Sequence, residues 1–357
     1  MFTNPDAARL PLLRHGTDGH IRRSRDVPGA SEAPRRTSGP VYDFKSGDVV
    51  EVLSFEEIAA TLDEDGSCGG LPFTAEMRQF CGRRFRVFKR ADKICVETPY
   101  SLALRRMRDA VTLEEVRCDG SDHDGCRRMC LLFWKEHWLK PGASATPEPP
   151  IDWTSILARS DAALSPVDPT AVYSCQATAL PAATEPLRIW DVRHYLRDLR
   201  SRAVRPRQLL KIVFMAVYNK IARTLGYRDF GMLLGTQTKT PAVTLDLRPG
   251  EIVRIKSKTE VSETLDAAGK NRGMYFGNEE ASRHCGKTYS VLARIARMIL
   301  EDSGKMRAIN DTVLLRGTSC SGLCFGGCAR GGYPMWREVW LERTGDGASA
   351  SVKSKPR

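Results

Sequence analysis

The chain repeats itself, and that repeat limits what it can fold into. Gly47-Asp48-Val49-Val50-Glu51-Val52 returns as Gly250-Glu251-Ile252-Val253-Arg254-Ile255. Thr61-Leu62-Asp63-Glu64-Asp65-Gly66 returns as Thr264-Leu265-Asp266-Ala267-Ala268-Gly269, and Gly70-Leu71-Pro72-Phe73 as Gly273-Met274-Tyr275-Phe276. Cys81-Gly82 returns as Cys285-Gly286, and Trp134-Lys135-Glu136-His137-Trp138-Leu139 as Trp336-Arg337-Glu338-Val339-Trp340-Leu341. Such a chain is expected to build one small unit twice. A residue type held at matching positions of both copies has a task common to both.

Within each copy the pattern is strand-rich. Val50 and Val52 share one face of an opening strand, the period-two signature of a half-buried strand. Ser54-Phe55-Glu56-Glu57 then has the spacing of a capping box, repeated as Ser257-Lys258-Thr259-Glu260. The serine hydroxyl accepts an amide three residues on, and the glutamate reaches back. Asp63 and Asp266, each three residues before a glycine, read as turn-formers. Short strands follow, and the closing one carries the tryptophans. The expected fold is α+β and β-rich: two homologous small antiparallel barrel-like lobes, residues 43–140 and 247–343, each with a cysteine-cluster loop.

Setting Cys118 on Cys320 brings Cys126 onto Cys328 without a gap. With Cys81 on Cys285, three cysteines recur in each lobe. A fourth lies nearby in each, Cys130 in one and Cys324 in the other. Four thiolates are what a closed structural zinc site takes, and the x3 spacings suit it. The expectation is therefore one structural zinc per lobe, held by Cys81, Cys118, Cys126 and Cys130 and by Cys285, Cys320, Cys324 and Cys328. His123, His137 or His284 could stand in for one sulfur. The plainer alternative is a set of buried free thiols, since cysteine behaves as a small hydrophobe. Cys68, Cys95 and Cys175 have no matching cysteine and read as structural or incidental.

Trp134, Glu136 and Trp138 alternate, as do Trp336, Glu338 and Trp340. On a strand each trio shares a face, which could hold a cationic or hydroxyl-bearing ligand. The alternative is a core pair of indoles with the glutamate hydrogen-bonded nearby. No phosphate loop, dinucleotide fingerprint, nucleophile elbow or His-Glu-x-x-His pattern appears. The histidines do not recur between copies, so they supply no base common to both lobes.

Outside the repeats, residues 1–42 read as a disordered basic leader and 344–357 as a disordered tail. Residues 141–187, rich in Pro, Ala, Ser and Thr, read as a linker in which Ile151 to Leu157 could form a short helix. Residues 188–246 read as a basic helical connector. There Leu209, Leu210, Val213, Phe214, Val217 and Ile221 form a stripe at helical spacing, expected to pack between the lobes. The net charge of +12 favours an anionic partner. Arg14, Arg22, Arg23, Arg25, Arg35 and Arg36 place part of that charge in the leader. No run of about twenty apolar residues exists, and the N-terminus lacks a secretory pattern. A cytoplasmic protein is expected, its eleven cysteines reduced or metal-bound.

The Gly47 to Val52 segment and its echo at Gly250 to Ile255 resemble the first strand of SH3-like barrels of the KOW type. That resemblance covers six residues per lobe and implies binding of RNA or of ribosomal and transcription components. The whole repeat, ending in Trp-Arg-Glu-Val-Trp-Leu, resembles a family of bacterial two-copy proteins with cysteine-rich lobes. That family is associated with polysaccharide or secondary-metabolite genes, and the resemblance implies no assigned reaction. The leading expectation is a non-catalytic, zinc-stabilised tandem module that binds an anionic partner, nucleic acid or protein. Its rival is an accessory or tailoring enzyme of a biosynthetic pathway with its site between the lobes. A third option is a peripheral membrane scaffold using the helix from Arg193 to Arg223.

Overall fold

Two sheets of five antiparallel strands carry the architecture, and both have the same strand order. The first runs Leu131–Lys135, Ala110–Arg117, Arg84–Arg90, Val49–Val52, Leu139–Pro141. The second runs Trp336–Arg337, Thr312–Leu315, Thr288–Arg294, Ile252–Ile255, Leu341–Arg343. Val50 pairs with Phe85 and Val253 with Tyr289. A bulge interrupts the register between Val87 and Lys89 in one sheet and between Val291 and Ala293 in the other. Each extra residue bends its strand and curls the sheet into a half-barrel. The molecule is α+β. The computed structural model describes residues 42–97, 102–142, 149, 151–162, 168, 170–188, 191–277 and 279–344. The expected leader up to residue 41, and the tail beyond 344, lie outside them.

Both capping boxes form. Ser54 caps helix α1 (Phe55–Ala59), with Glu57 reaching back to the Ser54 amide at 2.9 Å. Ser257 and Glu260 do the same for α6 (Lys258–Ser262) at 2.8 Å. Asp63 and Asp266 fold the turns that follow, each accepting amides two and four residues on.

Much of residues 141–187, expected as linker, folds. Helix α2 (Trp153–Ala162) buries Trp153, whose indole N–H donates to the Glu115 carbonyl at 3.2 Å. Helix α3 (Gln176–Ala183) seats the Gln176 amide between Phe133 and Pro72. The connector contains α4 (Arg193–Arg200) and α5 (Pro206–Thr224). A short helix α7 (Glu279–Ser282) precedes the second sheet's long strand. The larger apolar core includes Leu292, Ala293 and Leu314 from the second sheet and Ile295 just beyond it, alongside Val50, Val87 and Trp134 from the first. The described residues accordingly belong to one compact unit.

The stripe on α5 faces outward. Leu210 is 74% and Phe214 57% exposed, and Val213, Val217 and Ile221 are exposed with them. The helix instead buries Ile212, Met215 and Ala222. Apolar residues occupy more than one face of this helix, so spacing alone does not select the buried one.

Candidate metal centre and cavity

Two loops build the site, and each is shaped by a glycine. In the loop 118–130, the Cys118 amide donates to the Cys130 carbonyl (2.9 Å) and the Gly125 amide to the Gly120 carbonyl (2.9 Å). In the loop 320–332, Cys320 donates to Gly332 (2.8 Å) and Gly327 to Gly322 (3.0 Å). Gly120 and Gly322 both sit at φ +76°, where a side chain is strained. A Cβ on Gly120 would stand 2.1 Å from the Cys126 carbonyl oxygen, and one on Gly322 2.0 Å from that of Cys328.

Each loop docks on a strand from the opposite end of the chain. The Arg127 amide donates to Arg297 (3.0 Å), and the Cys126 sulfur accepts the Ile299 amide (3.4 Å), on strand Arg297–Ile299. Reciprocally, the Ala329 amide donates to the Lys93 carbonyl (2.8 Å), just before strand Ile94–Glu97, and the Cys328 sulfur accepts the Cys95 amide (3.1 Å) on that strand. This exchange encloses a cavity of about 320 Å³, mostly apolar in its wall. Seven thiols reach it: Cys118, Cys126 and Cys130 from the first loop, Cys320 and Cys328 from the second, with Cys95 and Cys175.

Glu76, Cys118 and His123 converge at the cavity wall, their ligand atoms all within 4.8 Å of one another. The His123 Nδ1 lies 3.7 Å from the Glu76 carboxylate and 3.9 Å from the Cys118 sulfur. Two ligands on one tetrahedral zinc are separated by about 3.3–3.8 Å, given bonds of about 2.0–2.3 Å. The His123 Nε2 stands 3.2 Å from the Ser174 carbonyl. A carbonyl only accepts, so Nε2 is the donor in that contact and Nδ1 is the ring atom that faces the other two ligands. Backbone carbonyls commonly orient metal-binding histidines in this way. The other Glu76 oxygen, Oε2, is buried without a hydrogen-bond partner. Burial pushes the Cys118 thiol well up, and the Glu76 carboxylate adds to it. A buried carboxylate beside a buried thiol costs free energy that a cation offsets.

A second set, Glu279, Glu280 and Cys324, also converges, but its carboxylates already have partners. Lys211 meets Glu279 at 2.7 Å and Arg283 meets Glu280 at 2.6 Å. The Ser321 amide and hydroxyl take the two Glu280 oxygens at 2.7 and 2.8 Å. The chain's own cations and donors supply here what the first set lacks.

The expected thiol tetrads are not what converges among the described residues. Cys81 packs against the first core and Cys285 against the second, and neither lines the cavity. Cys126 and Cys328 accept amides from the opposite strands, while Cys118 and Cys324 join the mixed sets. The reason is tertiary: each loop leaves its own sheet and pairs elsewhere, so sequence proximity to Cys81 or Cys285 does not become spatial proximity. His284 has both ring nitrogens engaged, Nδ1 with the Tyr289 hydroxyl (2.6 Å) and Nε2 with Arg283 (3.2 Å). His137 meets the Cys68 sulfur at 3.3 Å. The matched glutamates were the signal overlooked, for Glu76 and Glu280 each lie five residues before Cys81 and Cys285.

The proposed indole faces are core. Glu136–Trp138 and Glu338–Trp340 are 3-10 turns, which ends the strand alternation. Trp134, Trp138, Trp336 and Trp340 are fully buried. The Trp138 N–H donates to the Thr61 hydroxyl (2.9 Å) and Trp340 to Thr264 (3.0 Å). Glu136 pairs with buried Arg90, and Glu338 takes the amides of Asp246 and Leu247 at 3.0 and 3.1 Å. Among the described residues no helix is long and apolar enough to cross a membrane. No protein-family model matches the chain, and neither the curated proteins nor the solved structures contain a match to it.

Proposed function

We propose that the protein is a zinc-dependent enzyme of the accessory or tailoring kind, acting on a small molecule held in the cavity between the two sheets. The observation that carries this is the convergence of Glu76, Cys118 and His123 on the cavity wall, with His123 oriented by Ser174. Three protein ligands leave a fourth position open, the arrangement of catalytic rather than structural zinc. Zinc bound there supplies Lewis acidity to an oxygen of the ligand or to water. The chain's part is to hold the ligand, exclude water and fix the ligating atoms. The cavity's size and apolar wall suit a compact organic substrate. The matching strand order, paired capping boxes and paired bulges support an ancestral lobe that was duplicated.

Elemental analysis of protein purified without added zinc tests this. About one zinc per chain is expected, lost in Cys118→Ser and His123→Gln. Two zincs, both surviving His123→Gln, would restore the paired structural staples; none would remove the centre.

A second reading has its own support. Exposed apolar residues on α5 lie among exposed Arg205, Arg207, Lys211 and Lys220. That combination suits an anionic surface, and it concerns a different part of the molecule from the cavity.

A further inference from the structure

Cys95 has no counterpart in the repeat, because Ile299 fills the equivalent place opposite Cys126. It does have a partner. Its sulfur lies 3.1 Å from that of Cys328, and its amide donates to the Cys328 sulfur, also at 3.1 Å. Two sulfurs on one tetrahedral zinc stand about 3.8 Å apart. The Cys95–Cys328 pair is closer than that, and about 1 Å beyond a covalent disulfide. Both residues line the cavity, which offers a small oxidant a route to the pair.

We propose that Cys95 and Cys328 form a redox-active dithiol, closed to a disulfide by hydrogen peroxide. The nucleophile is Cys328. Burial opposes ionisation of its thiol, but the hydrogen bond from Cys95 and the amides of Arg330 and Cys95 outweigh it and hold the group below its ordinary value. The Cys95 thiol is held well above its own, first by that same hydrogen bond and then by burial. The Cys328 thiolate attacks one peroxide oxygen, the O–O bond breaks, and the hydroxide released takes a proton to become water. Cys328 is then a sulfenic acid. The Cys95 sulfur attacks the Cys328 sulfur, the S–O bond breaks, and hydroxide leaves with the Cys95 proton as a second water. The two thiols lose two electrons in all, and one peroxide gains them. The bond joins residues 233 apart and ties the second loop to the strand it docks on.

The pair shares no residue with Glu76, Cys118 and His123, so either proposal can fail alone. The test treats the full chain with one equivalent of hydrogen peroxide, blocks free thiols in acid and digests with trypsin. Cleavage after Lys93, Arg105, Arg316 and Arg330 should yield peptide 94–105 joined to peptide 317–330. Fragmentation should place the bond at Cys328 rather than Cys320 or Cys324, and a reductant should reverse it. Cys95→Ile copies the side chain at position 299 and should fold, give no linked peptide and leave Cys328 as sulfenic acid or a higher oxide. The oxidised wild type should also melt at a higher temperature than the reduced one. The proposal is overturned if wild-type Cys328 remains fully alkylatable after peroxide, or if the bond forms to a different cysteine.

Discussion

His284 is held neutral by its neighbours. Arg283 Nε–H donates to Nε2, which obliges Nδ1 to carry the proton and donate to Tyr289. Ionising the ring would break the first contact and set two cations side by side. Burial, with Arg283 adding to it, pushes the His284 pKa down to about 4 from 6.5. A pKa depressed in the folded state means that the unfolded chain binds the extra proton first. The stability this group contributes is present above pH 6.5 and is lost as pH falls from there toward 4. Asp198 acts oppositely: burial, opposed by Lys93, leaves it raised to about 6, so its share is lost as pH rises from its ordinary value through 6. The His284 contribution is therefore read as a difference. His284→Gln keeps a donor and an acceptor but cannot ionise. Its unfolding free energy, read from urea titrations, should fall less than that of the wild type between pH 7.5 and 4.5, by an amount on the order of 1–2 kcal/mol once solvent screening is allowed for. Parallel curves for the two proteins would show that the ring titrates freely.

At the scale of elements, the two cysteine loops depend on a glycine whose replacement fails for two separable reasons. Gly82 and Gly286 have left-handed φ with open space where a Cβ would go, whereas Gly120 and Gly322 have left-handed φ and a carbonyl in the way. Gly82→Ala should cost about 1–2 kcal/mol, from backbone conformation alone. Gly120→Ala adds displacement of the Cys126 carbonyl and should cost clearly more, about 3 kcal/mol. Thermal melts of the pair check this; equal losses would mean that the loop simply moves aside. The capping boxes and the aspartate turns were legible in the sequence because each is a local device whose partners lie within a few residues. The partners of Cys126 and Cys328 were not, because Ile299 and Cys95 sit 173 and 233 residues away. A repeat identifies equivalent residues without saying whether each loop stays with its own copy. Glu76 and Glu280 were legible in principle, at one offset from matched cysteines, yet a search for thiol spacing passes over carboxylates. The buried face of α5 was illegible for another reason. Ile212 and the exposed Val213 are equally apolar, and Ile212 is the one that comes to lie beside Gly327 of the second loop.

For the molecule as a whole, a net charge of +12 and the outward apolar stripe of α5 belong together. Leu210, Phe214, Val217 and Ile221 at these exposures form a patch that a monomer in water does not gain from displaying. Arg200 on α4, Arg205 just before α5, and Arg207, Lys211 and Lys220 on α5 are exposed. A nucleic-acid backbone would use the cations and leave the aliphatic stripe in water, whereas an anionic bilayer surface uses both. Each basic residue near such a surface contributes about 1 kcal/mol, falling off within a Debye length, and the stripe adds the burial of its side chains. Full-length protein should co-sediment with phosphatidylserine-containing vesicles at low salt, more weakly with phosphatidylcholine alone, and progressively less as salt rises. Leu210→Glu with Val217→Glu should abolish sedimentation while leaving the melting temperature within a few degrees of wild type, because both side chains are already exposed. The same double variant should leave zinc content unchanged, since neither residue touches the cavity wall. Salt-sensitive binding to single- or double-stranded nucleic acid without vesicle binding would assign the charge to that partner instead, and the stripe would then need another occupant. Vesicle binding that survives the double variant would show that the contact lies elsewhere on the protein.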